Sequence, residues 1–154
     1  MKQIRVLPIG RDTYRRTKFK DWKNDMTVRQ GSWGYGNCVG CWFFGERLNK
    51  FQTENVKIIL IRIKRVPGGL DKDVNLRVKV HKELNKPQGA PKFTSNVGVL
   101  RLPNNSTRTL IITDKNIIKR ILSGNGIGLE PDNYTKNNYA VCTACDMELF
   151  IEEV

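Results

Sequence analysis

Residues 56–66 read Val-Lys-Ile-Ile-Leu-Ile-Arg-Ile-Lys-Arg-Val, and residues 74–80 read Val-Asn-Leu-Arg-Val-Lys-Val. The first run is rich in isoleucine and long enough for a central strand. The second alternates cleanly, with Val74, Leu76, Val78 and Val80 on one face and Asn75, Arg77, Lys79 and His81 on the other. Pro67-Gly68-Gly69 supplies turn chemistry between them, a fixed φ followed by positions tolerant of positive φ. Together they predict a β-hairpin. Its cations Arg62, Lys64, Arg65, Arg77 and Lys79 are then expected on one face of a two-stranded ribbon, a shape able to enter or straddle a groove.

Upstream, residues 2–9 alternate weakly and predict an edge strand, because Pro8 cannot donate to a ladder. Residues 10–36 are polar, basic and glycine-rich towards the end, which predicts a long loop with at most one helical turn. Residues 42–51 fit a short strand or a helix equally well. Downstream, 97–102 and 107–113 predict strands joined by a turn at Pro103-Asn104-Asn105-Ser106. Thr113 or Asp114 is placed to cap a helix whose Ile117, Ile118, Ile121 and Leu122 share a face, and Gly124 is placed to end it. A Gly- and Asn-rich loop to about residue 138 and a strand over 147–151 complete the expectation. The fold class is α+β and strand-rich: one domain with an antiparallel sheet and one or two short helices.

The chain contains four cysteines. They form two pairs of identical spacing, Cys38-Val-Gly-Cys41 and Cys142-Thr-Ala-Cys145. Two intervening residues let both thiolates of a tight turn face one ion, and zinc takes four ligands tetrahedrally. The spacing predicts one structural zinc bound by Cys38, Cys41, Cys142 and Cys145. A full set of thiolates leaves no position for a reactive water, which argues against catalytic zinc. Two disulfides, a redox dithiol and an iron–sulfur cluster are the competing assignments. The ion would divide the chain into a basic, aromatic segment 1–37, a body 38–145 and an acidic strand or tail 146–154.

The chain has 154 residues and a formal net charge of +12. The excess is uneven: residues 1–50 hold eleven Lys or Arg against four acids, 51–100 ten against four, and the remainder six against seven. A lopsided field of this size attracts polyanions. Arg11, Arg15, Arg16, Lys18, Lys20, Lys23 and Arg29 are interleaved with Tyr14, Trp22, Trp33 and Tyr35, so cations can neutralise phosphates while aromatic faces stack on unpaired bases. Trp42, Phe43 and Phe44 are expected to pack in the core. The Gly124–Gly128 run lacks the Lys-Ser/Thr of a phosphate loop.

These features predict a non-catalytic, zinc-containing nucleic-acid-binding protein within a ribonucleoprotein, viral or mobile-element complex, with RNA favoured over DNA. A protein-interaction or inhibitor module with a basic surface is the alternative. A metal-dependent nuclease of the HNH sort is a further one, resting on His81, the one histidine of the chain. Such a site needs a second ligand for its catalytic metal, and no second histidine supplies it. His81 is instead expected to face solvent on a basic strand. The segment Met1–Gly10 lacks the apolar core of a secretory signal and no apolar run reaches membrane-spanning length, which predicts a cytoplasmic protein, or a nuclear one in a eukaryotic host.

Overall fold

The computed structural model describes residues 2–15, 22–23, 27–30, 38–66, 74–87, 91–103, 106–131 and 141–154. Side chains are described for 2–12, 40–64, 75–87, 91–103, 106–130 and 146–154. Eleven described strands run in chain order as β1 (Lys2–Val6), β2 (Gly10–Arg15), β3 (Trp22–Lys23), β4 (Thr27–Gln30), β5 (Cys38–Phe43), β6 (Val56–Val66), β7 (Val74–His81), β8 (Phe93–Leu102), β9 (Thr107–Ile112), β10 (Gly126–Pro131) and β11 (Val141–Glu153). A 3-10 turn, Thr53–Asn55, precedes β6, and one helix, α1 (Lys115–Leu122), follows β9.

The strands form two antiparallel sheets. In the first the order is β1-β11-β6-β9, with β4 also paired to β11. In the second it is β3-β2-β5-β10-β7-β8. Ile59, Ile61 and Ile63 of β6 and Met147, Leu149 and Ile151 of β11 meet Leu76, Val78 and Val80 of β7 and Ile127 and Leu129 of β10 in one buried cluster. Strict alternation on both sides makes this possible, because each strand then offers one wholly apolar face. Trp42 and Phe44 join this core and Phe43 is buried against the other face of β5, so all three aromatics pack as anticipated.

The hairpin is not formed. β6 pairs with β11 and β9 in the first sheet, whereas β7 pairs with β10 and β8 in the second. Alternation fixes which face of a strand is buried but not which strand lies beside it; the expected turn Pro67-Gly68-Gly69 lies outside the described residues. The five ribbon cations are therefore divided between two sheets.

Three further expectations change. The supposed loop 10–36 contributes β2, β3 and β4, with Gly10–Arg15 laddered along β5. The Gly- and Asn-rich stretch after α1 contains β10, a central strand between β5 and β7. The final strand begins at Val141 and includes the second cysteine pair. By contrast, β1 is an edge strand as expected, and α1 is capped by Asp114, whose Oδ1 accepts from Asn116 N at 2.8 Å and Ile117 N at 3.2 Å. Ile118, Ile121 and Leu122 are its buried face, and Gly124 N closes the end on Ile121 O at 3.1 Å.

Candidate nucleic-acid interface and metal centre

The cysteine pairs lie one in each sheet, Cys38 and Cys41 on β5 and Cys142 and Cys145 on β11. Neither occupies the tight turn that the spacing predicted. Each pair is embedded in β-prone neighbours, Val39, Trp42 and Phe43 in one case and Val141, Thr143 and Met147 in the other, and the ladder runs through both. β4 pairs with the first half of β11, Val141↔Gln30 to Ala144↔Thr27, and also lies beside β5 and β10. It thus neighbours both cysteine-bearing strands. Cys41 is fully buried and clusters with Phe43 and Phe93. The side chains of Cys38, Cys142 and Cys145 fall outside those described. Among the described residues no group of three or more His, Cys, Asp or Glu is arranged to hold an ion.

Basic residues are the cross-strand partners of three of the four cysteines. Arg15 lies opposite Cys38, Arg29 opposite Cys142 and Arg65 opposite Cys145, while Cys41 lies between Asp12 and Gly128. Directly opposed positions are the closest neighbours that a sheet provides. Tyr14 is on β2 and Trp22 and Lys23 are on β3, again by backbone position. Arg16, Lys18, Lys20, Trp33 and Tyr35 lie outside the described residues.

Those cations whose side chains are described have acidic companions. Arg11 Nη1 lies 3.5 Å from Asp146 Oδ1, a pair that joins the two sheets. Arg62 Nε lies 3.8 Å from Glu148, which Arg5 Nε also approaches at 3.5 Å. Lys64 is exposed and sits opposite Asp146 in register. Such exposed pairs contribute on the order of 0–1 kcal/mol, so a phosphate can displace the carboxylate at little cost. Lys79 differs. Its Nζ is 2.5 Å from Glu130, with side-chain exposures of only 21% and 12%, and it lies over the Phe93 ring at 5.7 Å. Lys79 is thus held between Glu130 and the Phe93 ring. Arg77, half-buried, faces Glu130 in register on the same surface.

His81 is fully buried rather than solvent-facing. Alternation assigns it correctly to the outer face of β7, but that face is covered here. Phe43 packs against the imidazole with centroids 5.0 Å apart, and Phe93, opposite His81 in register, packs against Phe43. Glu83 N donates to His81 Nδ1 at 3.2 Å, so Nδ1 is the acceptor and Nε2 carries the proton that meets Trp42 O at 3.1 Å. Desolvation lowers its pKa to about 4, partly opposed by the Trp42 carbonyl, which favours the charged form. Both nitrogens are committed to backbone groups, so the ring presents no basic lone pair to a substrate.

Nearby, the buried carboxylate of Asp12 is met by Lys86 Nζ at 2.5 Å, which ties the loop after β7 to β2. A buried charge needs such a partner. Asp12 was not singled out in the sequence; its signal is a lone acid among the cations of Gly10–Arg15.

Among the described residues no helix is long and apolar enough to cross a membrane. No protein-family model matches the chain, and no curated protein matches it.

Proposed function

We propose that the chain is a non-catalytic nucleic-acid-binding module stapled by one zinc ion at Cys38, Cys41, Cys142 and Cys145, with single-stranded RNA preferred over DNA, acting inside a nucleoprotein complex. The observation that carries this is the register in which Arg15, Arg29 and Arg65 oppose Cys38, Cys142 and Cys145. Zinc bound by four thiolates is dianionic overall, so neighbouring guanidinium groups stabilise it and remain available to phosphate. The strand β4 pairs with β11 and lies beside β5, so the two cysteine-bearing strands share a neighbour. Tyr14 and Trp22, on β2 and β3 beside these cations, supply stacking surfaces for unpaired bases.

The zinc requires a local change. Residues three apart on a regular strand lie on opposite faces, so capture of both thiolates of a pair bends the chain within 38–41 and within 142–145. A salt titration of binding to labelled single-stranded RNA tests the function. Phosphate contacts predict a log–log slope of roughly −0.7 to −0.9 per contact. A flat response would exclude a phosphate-dominated interface. Comparing what co-purifies before and after nuclease treatment identifies the ligand.

A further inference from the structure

On a surface formed by the β1–β2 connection and the turn that follows β5, two open crevices of about 470 Å³ and about 220 Å³ adjoin and share Arg47 and Lys50. The first is lined by Ile9 and Phe44, the second by Leu7 and the strand β1. Leu7 is 54% exposed and Ile9 47%. Gly45 lies between the Ile9 side chain and the Leu84 backbone carbonyl, so the loop after β7 borders this surface. Leu7 and Ile9 thus place two exposed large hydrophobics side by side here. Apolar surface that is clustered and polar-rimmed marks interaction sites, whereas scattered exposed side chains do not.

The rim is cationic. Arg5, Arg47 and Lys50 are all exposed; Glu46 lines the first crevice, and Arg5 also lies 3.5 Å from Glu148 in an exposed pair. Arg47 Nη1 donates to Leu7 O at 2.8 Å and thereby fixes the apolar segment beside its own charge. The most exposed apolar side chains, Leu7 and Ile9, are aliphatic, whereas Phe44 is 1% exposed and Phe51 of the smaller crevice is half-buried against the core. Bases stack on aromatic faces, so an aliphatic floor favours aliphatic anchors instead. We infer that this crevice docks an acidic protein segment carrying Leu or Ile anchors, the anchors seated against Leu7 and Ile9 and the carboxylates facing Arg5, Arg47 and Lys50. The segment belongs to a partner protein. Among the described residues no cysteine lines either crevice, and the proposal does not depend on the RNA reading.

The test uses the full chain with a short fluorescein-labelled peptide alternating leucine with glutamate, a glutamine-for-glutamate control peptide, and a single-stranded RNA oligonucleotide. The acidic peptide should bind more tightly than ~1 mM at low salt and shift the amide signals of residues 4–9 and 44–50. Ile9→Asp and Lys50→Glu should each weaken it about tenfold, with unchanged melting temperature, while RNA affinity stays within about twofold of wild type. Absence of peptide binding at ~1 mM, equal binding of the neutral peptide, or amide shifts confined to other surfaces would each overturn the proposal. So would RNA shifting the same amides in competition with the peptide. Shifts at the crevice in the wild type keep the conclusion testable even if a variant misfolds.

Discussion

The His81 imidazole fills the space that a side chain on Gly126 would occupy: a Cβ there would lie 2.1 Å from both Cε1 and Nε2 of the ring, and 2.4 Å from Trp42 O. The ring and the bare strand position are one packing unit. Gly126→Ala should therefore cost about 3 kcal/mol, since both ring and carbonyl are held and neither can yield cheaply. Gly10→Ala, where an added Cβ meets nothing within 4 Å, should stay within about 0.5 kcal/mol. Urea unfolding of both variants checks the contrast; a tolerated Gly126→Ala would mean the imidazole lies elsewhere.

His81→Ala should destabilise by about 2–4 kcal/mol, because it opens a cavity and removes the bonds that the ring makes to Trp42 O and Glu83 N. A solvent-facing histidine would lose about 0.5 kcal/mol or less. Equilibrium unfolding distinguishes the two outcomes directly.

Acid should weaken the fold through the same ring. Its folded pKa, about 4, lies below the ordinary 6.5, so the unfolded chain takes up a proton first as pH falls. The contribution is fully present above pH 6.5 and is lost progressively down to about 4. It amounts to about 3 kcal/mol. As the chain has one histidine, its C2 proton resonance reports the midpoint without assignment. Titration near 6.5 would contradict the burial, and His81→Gln should flatten the stability profile in this window.

Elemental analysis should find one zinc per chain. Cys142→Ser should abolish stoichiometric metal and lower the melting temperature, given that structural zinc contributes ~10 kcal/mol or more to small domains. Metal removal and reloading should move the amide signals of 38–41 and 142–145, where the extended strands must bend. A stable native protein without metal would sink the staple.

Charge reversal at Arg15, Arg16 and Lys18 should weaken RNA binding by tenfold or more, roughly three lost phosphate contacts, and lower the salt slope by about 2–3. The same change at Lys115 and Lys119 of α1 should do less. Lys115 Nζ already serves the carbonyls of Thr53 and Val56, and α1 packs against β6 and β8 rather than beside the cysteine-bearing strands. Equal loss at both places would leave net charge as the whole effect.

How far the sequence could be read depends on what each pattern encodes. The alternation in β7 and the capped helix α1 were legible because period and cap are local. The partnership of β6 was not, since pairing depends on the other sheet. β10 was hidden by the very glycines that define it: Gly126 and Gly128 are bare to receive the His81 and Phe93 rings, and no local signal separates that need from a flexible loop. The exposure of His81 failed for a related reason, as outward-facing equals solvent-facing only where nothing covers the sheet. The cysteine spacing was plain, but their strand geometry and their arginine partners follow from long-range pairing.

In the first sheet β11 lies between β6 on one side and β1 and β4 on the other. On the ribosome, β6 therefore emerges well before the strand that pairs along its whole length. At about 5–20 residues per second the wait is roughly 5–15 s. Throughout that time an isoleucine-rich strand has an unsatisfied edge, the condition under which nascent chains aggregate. Lys57, Arg62, Lys64 and Arg65 punctuate this segment, and like charges on neighbouring copies repel. Whatever they contact in the folded protein, these cations also guard the half-made one.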